Sequence, residues 1–237
     1  MCYSFKYLSI GGAFLLIFVL PASAILVSND GTSFNVNLIT GTETAAQYYN
    51  YGGLLNGGSP DFGPESEKGF FWLYEQEGSS TLQLCMIVNT QGGTASNVDM
   101  RFFNADSGLP DGFETVLVAD DKSSELKYEG SKNEFEGNWN WSSYGDGGVI
   151  GDLLSNPEEN SEIHIAVGNL ASTDFDWYFV SQGEDKYANP LIFYDDGTFE
   201  TSGSLNDSQM IITIPEPATI TLIGLGIIAS RHRKNYV

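Results

Sequence analysis

The sequence predicts an all-β protein, folded as an antiparallel β-sandwich of jelly-roll-like shape. Three observations predict this class. Apolar and polar residues alternate over short segments, as in strands that bury one face. Clusters of Gly, Asn, Asp and Ser separate those segments and favour turns between them. Residues 70–74 are apolar almost throughout, as expected for a strand that is buried on both faces.

The first predicted elements are one short helix and five strands. The helix is expected over residues 45–51, because Thr44 and Gln47 have the spacing of a capping box. The buried strand at 70–74 comes next, and four alternating strands come after it. Their core-facing rows are Leu82, Leu84, Met86 and Val88; Val98, Met100 and Phe102; Ile163, Ile165 and Val167; and Phe175, Trp177 and Phe179.

The remaining segments are assigned from their turn residues. Asp196-Gly197 predicts a hairpin between strands 191–194 and 198–201, because the tight turn needs positive φ. Residues 210–214 are predicted to close the sheet as a final strand, which leaves almost no linker after it. The glycine-rich spans 54–63 and 130–148 are predicted to be loops.

The first 24 residues are typical of a secretory signal peptide. Lys6 supplies the positive charge, residues 10–20 the apolar core, and Ala22-Ser23-Ala24 the small-residue cleavage site. The apolar core has about half the length that a membrane-spanning helix needs. We therefore expect cleavage after Ala24 and export of the rest of the chain.

The charge of the middle of the chain limits its partners. Residues 25–214 contain six Lys and Arg against 30 Asp and Glu, a net charge of −24. Such a surface repels nucleic acid and anionic lipid, so a nucleic-acid-binding role is not expected. It suits divalent cations or an external polymer matrix.

The last stretch of the chain has three parts in a fixed order: Pro215-Glu216-Pro217, an apolar run at 218–229, and a basic cluster containing Arg231, Arg233 and Lys234. The prolines keep the backbone extended. The apolar run predicts one C-terminal transmembrane helix. Its 12 residues span about 18 Å against a core of about 30 Å, and snorkelling arginines extend its reach. The basic cluster predicts that the C-terminus stays in the cytoplasm.

In this order the three parts resemble the PEP-CTERM sorting signal of Gram-negative bacteria. The resemblance implies that an inner-membrane exosortase recognises Pro215, Glu216 and Pro217 and processes the tail during export. The chain is then divided into a signal peptide (1–24), an acidic β-rich ectodomain (25–214) and a sorting signal (215–237). The protein is expected first in the inner membrane, then at the cell surface or outside the cell.

The ectodomain contains few arrangements of catalytic residues, and no enzymatic activity is predicted. His164 is its single histidine and is expected to be exposed on a strand, and Cys85 to be a buried small hydrophobe. No Gly-x-Ser-x-Gly elbow occurs. Glu134 and Glu136 would share a strand face beside Trp139 and Trp141, but two carboxylates in so acidic a chain favour a solvated surface over a glycosidase.

Two binding hypotheses stay open. Trp139 and Trp141, with Tyr144, would stack on sugar rings if they faced solvent, although packing into the core is favoured. No cofactor is predicted. Aspartates in glycine-rich loops leave calcium open, but none has the spacing of an EF-hand loop.

The function that the resemblance implies is non-enzymatic: a structural or adhesive component associated with exopolysaccharide or biofilm. A carbohydrate-binding module that uses Trp139 and Trp141 is the first alternative. A secreted hydrolase is the second.

Overall fold

The computed structural model describes residues 25–49, 67–79, 81–88, 96–103, 115–119, 125–141, 146–151, 161–168, 175–193 and 209–214. These residues form 14 strands and one short helix, which confirms the predicted predominance of β-structure. The strands lie in two seven-stranded sheets, named sheet A and sheet B below.

Sheet A is antiparallel throughout. Its strands, in spatial order, are β2 (Thr32–Val36), β1 (Ile25–Asn29), β14 (Met210–Ile214), β11 (Ser161–Gly168), β6 (Ser96–Phe103), β9 (Glu134–Trp141) and β8 (Leu126–Glu129). The first and last described strands of the chain are therefore neighbours. The turn between β1 and β2 consists of Asp30 (φ +46°) and Gly31 (φ +73°), the positive φ pair of a tight hairpin.

Sheet B is mixed, so the prediction of an entirely antiparallel sandwich is wrong for this sheet. Its main path is β13 (Pro190–Leu191), β12 (Asp176–Val180), β4 (Lys68–Gln76), β5 (Leu82–Val88), β10 (Asp146–Gly151) and β7 (Thr115–Ala119). Both β12 and the short β3 (Ile39–Gly41) run parallel to β4 and share one of its edges, end to end. The two are joined where Asn37 N donates to Ser181 Oγ at 3.0 Å. Residue alternation defines which face is buried, but it does not encode strand direction.

One hydrophobic core lies between the sheets. Sheet A contributes Phe102, Ile163 and Ile212, and sheet B contributes Phe71, Leu84 and Met86, all at 0% exposure. Every predicted core-facing row is found on this side. The one difference from the prediction is Phe175, which precedes β12 and packs against the core while only partly buried.

A second, smaller core covers the outer face of sheet B. The helix α1 (Ala45–Tyr49) lies there, and Tyr49 stacks on Trp72 at 6.3 Å between ring centroids. The predicted burial of 70–74 on both faces is confirmed, because Phe70 to Tyr74 are all buried. The predicted capping box is also present, since Thr44 N donates to Gln47 Oε1 at 3.0 Å and Gln47 N donates to Thr44 Oγ1 at 3.3 Å.

The prediction of a loop over 130–148 is wrong, because this span contains β9 and the start of β10. The glycines of the span suggest turns, but Gly137 serves packing. A Cβ atom at Gly137 would lie 2.1 Å from the Trp139 ring, so only glycine leaves room for the indole over the strand. Glycine at this position therefore indicates close packing and not a turn.

Other predictions fall partly or wholly outside the described residues. Of the predicted strand 191–194, residues 191–193 are described, and only residue 191 belongs to a strand. The Asp195-Asp196-Gly197 hairpin, the loop at 54–63 and residues 50–51 of the helix lie outside it.

None of the helices in the described ranges is long and apolar enough to cross a membrane. The predicted span at 218–229 lies outside those ranges.

Candidate functional site

The predicted sorting signal begins directly after β14, so this strand is the described part of the chain that adjoins the candidate site. The prediction of a final strand at 210–214 is confirmed. Met210, Ile212 and Ile214 alternate inward and are buried at 0%, 0% and 3% exposure. They belong to the core that the two sheets share, so the attachment point of the tail is part of that core.

Both edges of β14 are occupied. Thr213 is paired with Leu26 of β1 on one side and with Glu162 of β11 on the other. Ile214 is paired with Ser161 of β11. An inner strand of this kind uses its backbone donors and acceptors in two ladders.

The strand ends next to the predicted signal-peptide cleavage site and next to the predicted sorting signal lie at the same end of sheet A. The strand β1 begins at Ile25, the residue after the predicted cleavage site, and β14 ends at Ile214. Because the register of Leu26 opposite Thr213 is antiparallel, the start of β1 lies beside the end of β14. Neighbouring strands are about 4.8 Å apart. Sequence reasoning did not find this juxtaposition, which depends on long-range pairing.

Asn29 fixes the other end of this strand pair, and sequence reasoning missed it as well. Its buried side-chain amide donates to Ile192 O at 3.0 Å and to Gln209 O at 3.2 Å, and its Oδ1 accepts from Ile192 N at 2.6 Å. It thereby ties β1 to the start of β14 and to the segment after β13. The one available signal was a polar residue at an inward position of an alternating strand.

Glu134 and Glu136 lie on the outer face of sheet A in a network of ion pairs. Arg101 donates to Glu134, and Lys132 lies 2.5 Å from Glu136 and 3.3 Å from Glu134. Lys127 also contacts Glu136, at 3.3 Å. Hydrogen bonding to Lys132 lowers the pKa of the Glu136 carboxyl, even though partial burial opposes that shift.

The two glutamates share a face as predicted, but that face is opposite to Trp139. Trp139 points into the core at 0% exposure, and its indole N–H donates to Gly147 O at 3.3 Å. The favoured packing of this indole is therefore found, and its ring does not face solvent. The side chain of Trp141 and the whole of Tyr144 lie outside the part of the chain that the structure describes.

The prediction that His164 is exposed is wrong. It points away from the apolar row, as expected, yet it is only 5% exposed. Its Nδ1 lies 3.2 Å from Gln209 Oε1, its Nε2 lies 3.4 Å from Glu162 Oε2, and the Phe103 ring packs at 5.5 Å. Both ring nitrogens thus face side-chain oxygens, one from Glu162 of the same strand and one from Gln209, which directly precedes β14.

Cys85 is buried in β5, and burial raises the pKa of its thiol well above the usual value, in agreement with a role as a small hydrophobe. Among the described residues, no group of three or more His, Cys, Asp or Glu is arranged to hold a metal ion. Two predicted sets of residues lie beyond the last described residue: Pro215, Glu216, Pro217, Arg231, Arg233 and Lys234.

The similarity of this chain to known proteins lies in its C-terminal segment. No curated protein and no solved structure matches the chain. A family model described as the PEP-CTERM protein-sorting motif matches residues 213–234, so its first two residues are also the last two of β14. The chain therefore carries a PEP-CTERM sorting motif at its C-terminal end, which implies an exported protein that an exosortase processes.

Proposed function

We propose that the chain is a structural or adhesive protein of the cell surface or extracellular matrix, associated with exopolysaccharide in a biofilm, and that it is not an enzyme. The match to the sorting motif carries this proposal, because it implies export and processing. The β-domain formed within residues 25–214 is then the delivered cargo.

The proposed route has three stages. The signal peptide directs export and is removed after Ala24. The C-terminal helix holds the domain at the inner membrane, with Arg231, Arg233 and Lys234 on the cytoplasmic side. The exosortase then processes the tail, and the domain passes to the surface.

The surroundings of the candidate catalytic groups support a non-enzymatic role. A glycosidase acid needs a raised pKa at neutral pH, whereas the pKa of Glu136 is lowered by Lys132. Glu134 is bound to Arg101 on the same face. His164 is enclosed by Phe103, Gln209 and Glu162, which leaves little space for a substrate beside its ring.

The charge of the domain supports association with a polymer matrix. A net charge of −24 over residues 25–214 attracts divalent cations. Divalent cations that bind both carboxylates of the domain and acidic groups of a polysaccharide would link the two. This link needs no single specific site, and we expect it to weaken when a chelator is added.

The sorting part of the proposal is tested by Glu216→Gln, which keeps the side-chain shape and removes the charge between the two prolines. In cells that carry the exosortase, we expect this variant to accumulate unprocessed in the inner-membrane fraction. Glu184→Gln is the matched control, because Glu184 is an exposed carboxylate of the domain. Release of the Glu216→Gln chain at the wild-type rate would contradict the proposal.

The matrix part is tested by comparing cells with and without their exopolysaccharide. We expect the protein to stay cell-associated only when the polysaccharide is present. If retention persists in a chelator and is lost in Trp141→Ala, the carbohydrate-binding alternative replaces a cation-mediated link. Turnover of glycoside or ester substrates that disappears in Glu134→Gln or Glu136→Gln would contradict the non-enzymatic role.

A further inference from the structure

Two residues of this chain belong both to a strand of the folded domain and to the sorting motif. Thr213 and Ile214 are the last residues of β14, and they are also the first residues of the sorting-motif match. The chain leaves sheet A at Ile214, and Pro215 is the next residue. No residue separates the folded domain from the motif.

In the folded domain the backbone of Thr213 and the side chain of Ile214 are not available to a second protein. The backbone of Thr213 is paired with β1 and with β11, and the Ile214 side chain is 3% exposed in the shared core. An enzyme that binds a peptide in extended form uses the same backbone donors and acceptors that a sheet uses. One strand cannot supply them to both.

We propose that docking of β14 in sheet A and binding of the complete sorting motif by the exosortase exclude each other, so that the domain controls access to its own processing site. The inference rests on the proposed function, in which an exosortase processes the tail. In this inference Ile212 and Ile214 act indirectly on that reaction, because their burial in the core holds β14 in the sheet.

The topology sets the order of events. During export β1 emerges first and β14 last, yet the two are neighbours in sheet A. Sheet A is complete only once β14 has crossed the membrane and entered between β1 and β11. Processing therefore competes with this final docking step, and a domain that has closed is a poor substrate until β14 leaves the sheet.

A covalent lock between β1 and β14 tests the inference. Leu26 and Thr213 are direct partners and lie on the outer face, where Leu26 is 36% exposed. Partner Cα atoms in an antiparallel pair lie about 4.5–5.5 Å apart, within the range of about 4.4–6.8 Å that a disulfide spans. The double variant Leu26→Cys with Thr213→Cys is therefore expected to form a bond that keeps β14 docked, and the buried Cys85 does not compete.

We expect the oxidised double variant to be processed at least about tenfold more slowly than its reduced form, as a docked strand is no longer released. The Leu26→Cys single variant, which has no partner thiol on β14, is the control and should be unaffected. Intact mass of the full-length chain after a pulse of synthesis reports both the disulfide and the loss of the tail. Processing of the oxidised chain at the same rate as its reduced form would overturn the inference.

An insertion distinguishes access from other effects of the lock. Gly-Ser-Gly-Ser-Thr-Ile placed between Ile214 and Pro215 leaves β14 in the sheet and supplies a second Thr-Ile to the motif. We expect this insertion to restore wild-type processing of the oxidised chain. A lock that slows processing equally with and without the insertion would overturn the inference.

A gentler perturbation needs no disulfide. Ile212→Val loosens β14 and is expected to raise the processing rate roughly two- to tenfold. Ile150→Val is its match, because Ile150 is equally buried in the same core but lies in sheet B. Equal effects of the two variants would contradict a specific role of β14. If even the unlocked chain with the insertion is not processed, the proposed function itself fails, and this outcome is distinct from the others.

Discussion

Asn29 offers the sharpest test of how β1, β14 and sheet B are held together. Its side chain makes three hydrogen bonds, two as a donor to Ile192 O and Gln209 O and one as an acceptor from Ile192 N. The residue is 5% exposed, so water does not replace these bonds when the side chain is removed. Asn29→Ala therefore leaves one N–H and two carbonyl groups without their partner.

The expected cost is the sum over these three groups. A buried donor without a partner costs about 2 kcal/mol, and the two carbonyls together add about 1 kcal/mol because each has a second lone pair. We expect Asn29→Ala to lower the free energy of unfolding by about 3 kcal/mol. Asn35→Ala is the control, since Asn35 is exposed on β2 and its loss should cost less than about 0.5 kcal/mol.

Asn29→Asp adds a pH dependence with a defined sign. An ionised carboxylate still accepts from Ile192 N, but it cannot donate to the two carbonyls, so its pKa in the folded state is expected above the unfolded value of about 4. The loss of stability relative to wild type should then be largest at neutral pH and shrink as pH falls through that folded-state pKa.

Urea unfolding of the exported protein, followed by the fluorescence of its buried tryptophans, measures these differences. Trp72, Trp139 and Trp177 are all enclosed in the folded state, so unfolding changes their emission. A loss below about 0.5 kcal/mol for Asn29→Ala would refute the reasoning, because it would mean that the three bonds do not contribute.

Three further predictions concern the core and the ion pairs. Gly137→Ala should destabilise the domain by about 2 kcal/mol in the same urea titration, because its Cβ would lie 2.1 Å from the Trp139 ring; an unchanged midpoint would contradict this packing. Cys85, whose thiol pKa is raised by burial, should react with a thiol reagent only after unfolding, and fast labelling of the native protein would show an accessible site. Glu136, whose pKa is lowered mainly by Lys132, stabilises the fold above its unfolded-state pKa and loses that contribution as pH falls through the folded-state value. Glu136→Gln should therefore reduce the acid sensitivity of unfolding, and an unchanged pH profile would contradict the ion pair.

The alternation of apolar residues was enough to predict much of the β-domain. The rows in β5, β6 and β11 face the shared core, because a strand with period two buries one face wherever a second sheet packs against it. The capping box of Thr44 and Gln47 was predictable for a similar reason, since its interaction spans only three residues.

The errors arose where the deciding contact was not visible in the local pattern. Gly137 has the composition of a turn, yet it accommodates the Trp139 ring inside a strand. His164 points outward as its position in β11 predicts, but Gln209 and Phe103 enclose it, and neither is adjacent in the chain. The parallel pairing of β12 with β4 likewise joins segments about 100 residues apart, for which local patterns carry no information.

The candidate site was predictable from sequence in its composition but not in its placement. The order of Pro215-Glu216-Pro217, apolar run and basic cluster is a local pattern, and the family match to residues 213–234 agrees with it. Thr213 is paired on both edges of β14, with Leu26 as one partner. This pairing depends on the three-dimensional fold and could not be predicted from the local sequence.

The protein's proposed role depends most on the claim that the chain is exported and processed at both ends, with the β-domain delivered between them. Intact mass of the protein released from cells tests this claim directly. We expect a form that begins at Ile25 and has lost the C-terminal residues Arg231, Arg233 and Lys234. A released protein with the full mass of 25.8 kDa, both ends retained, would contradict it.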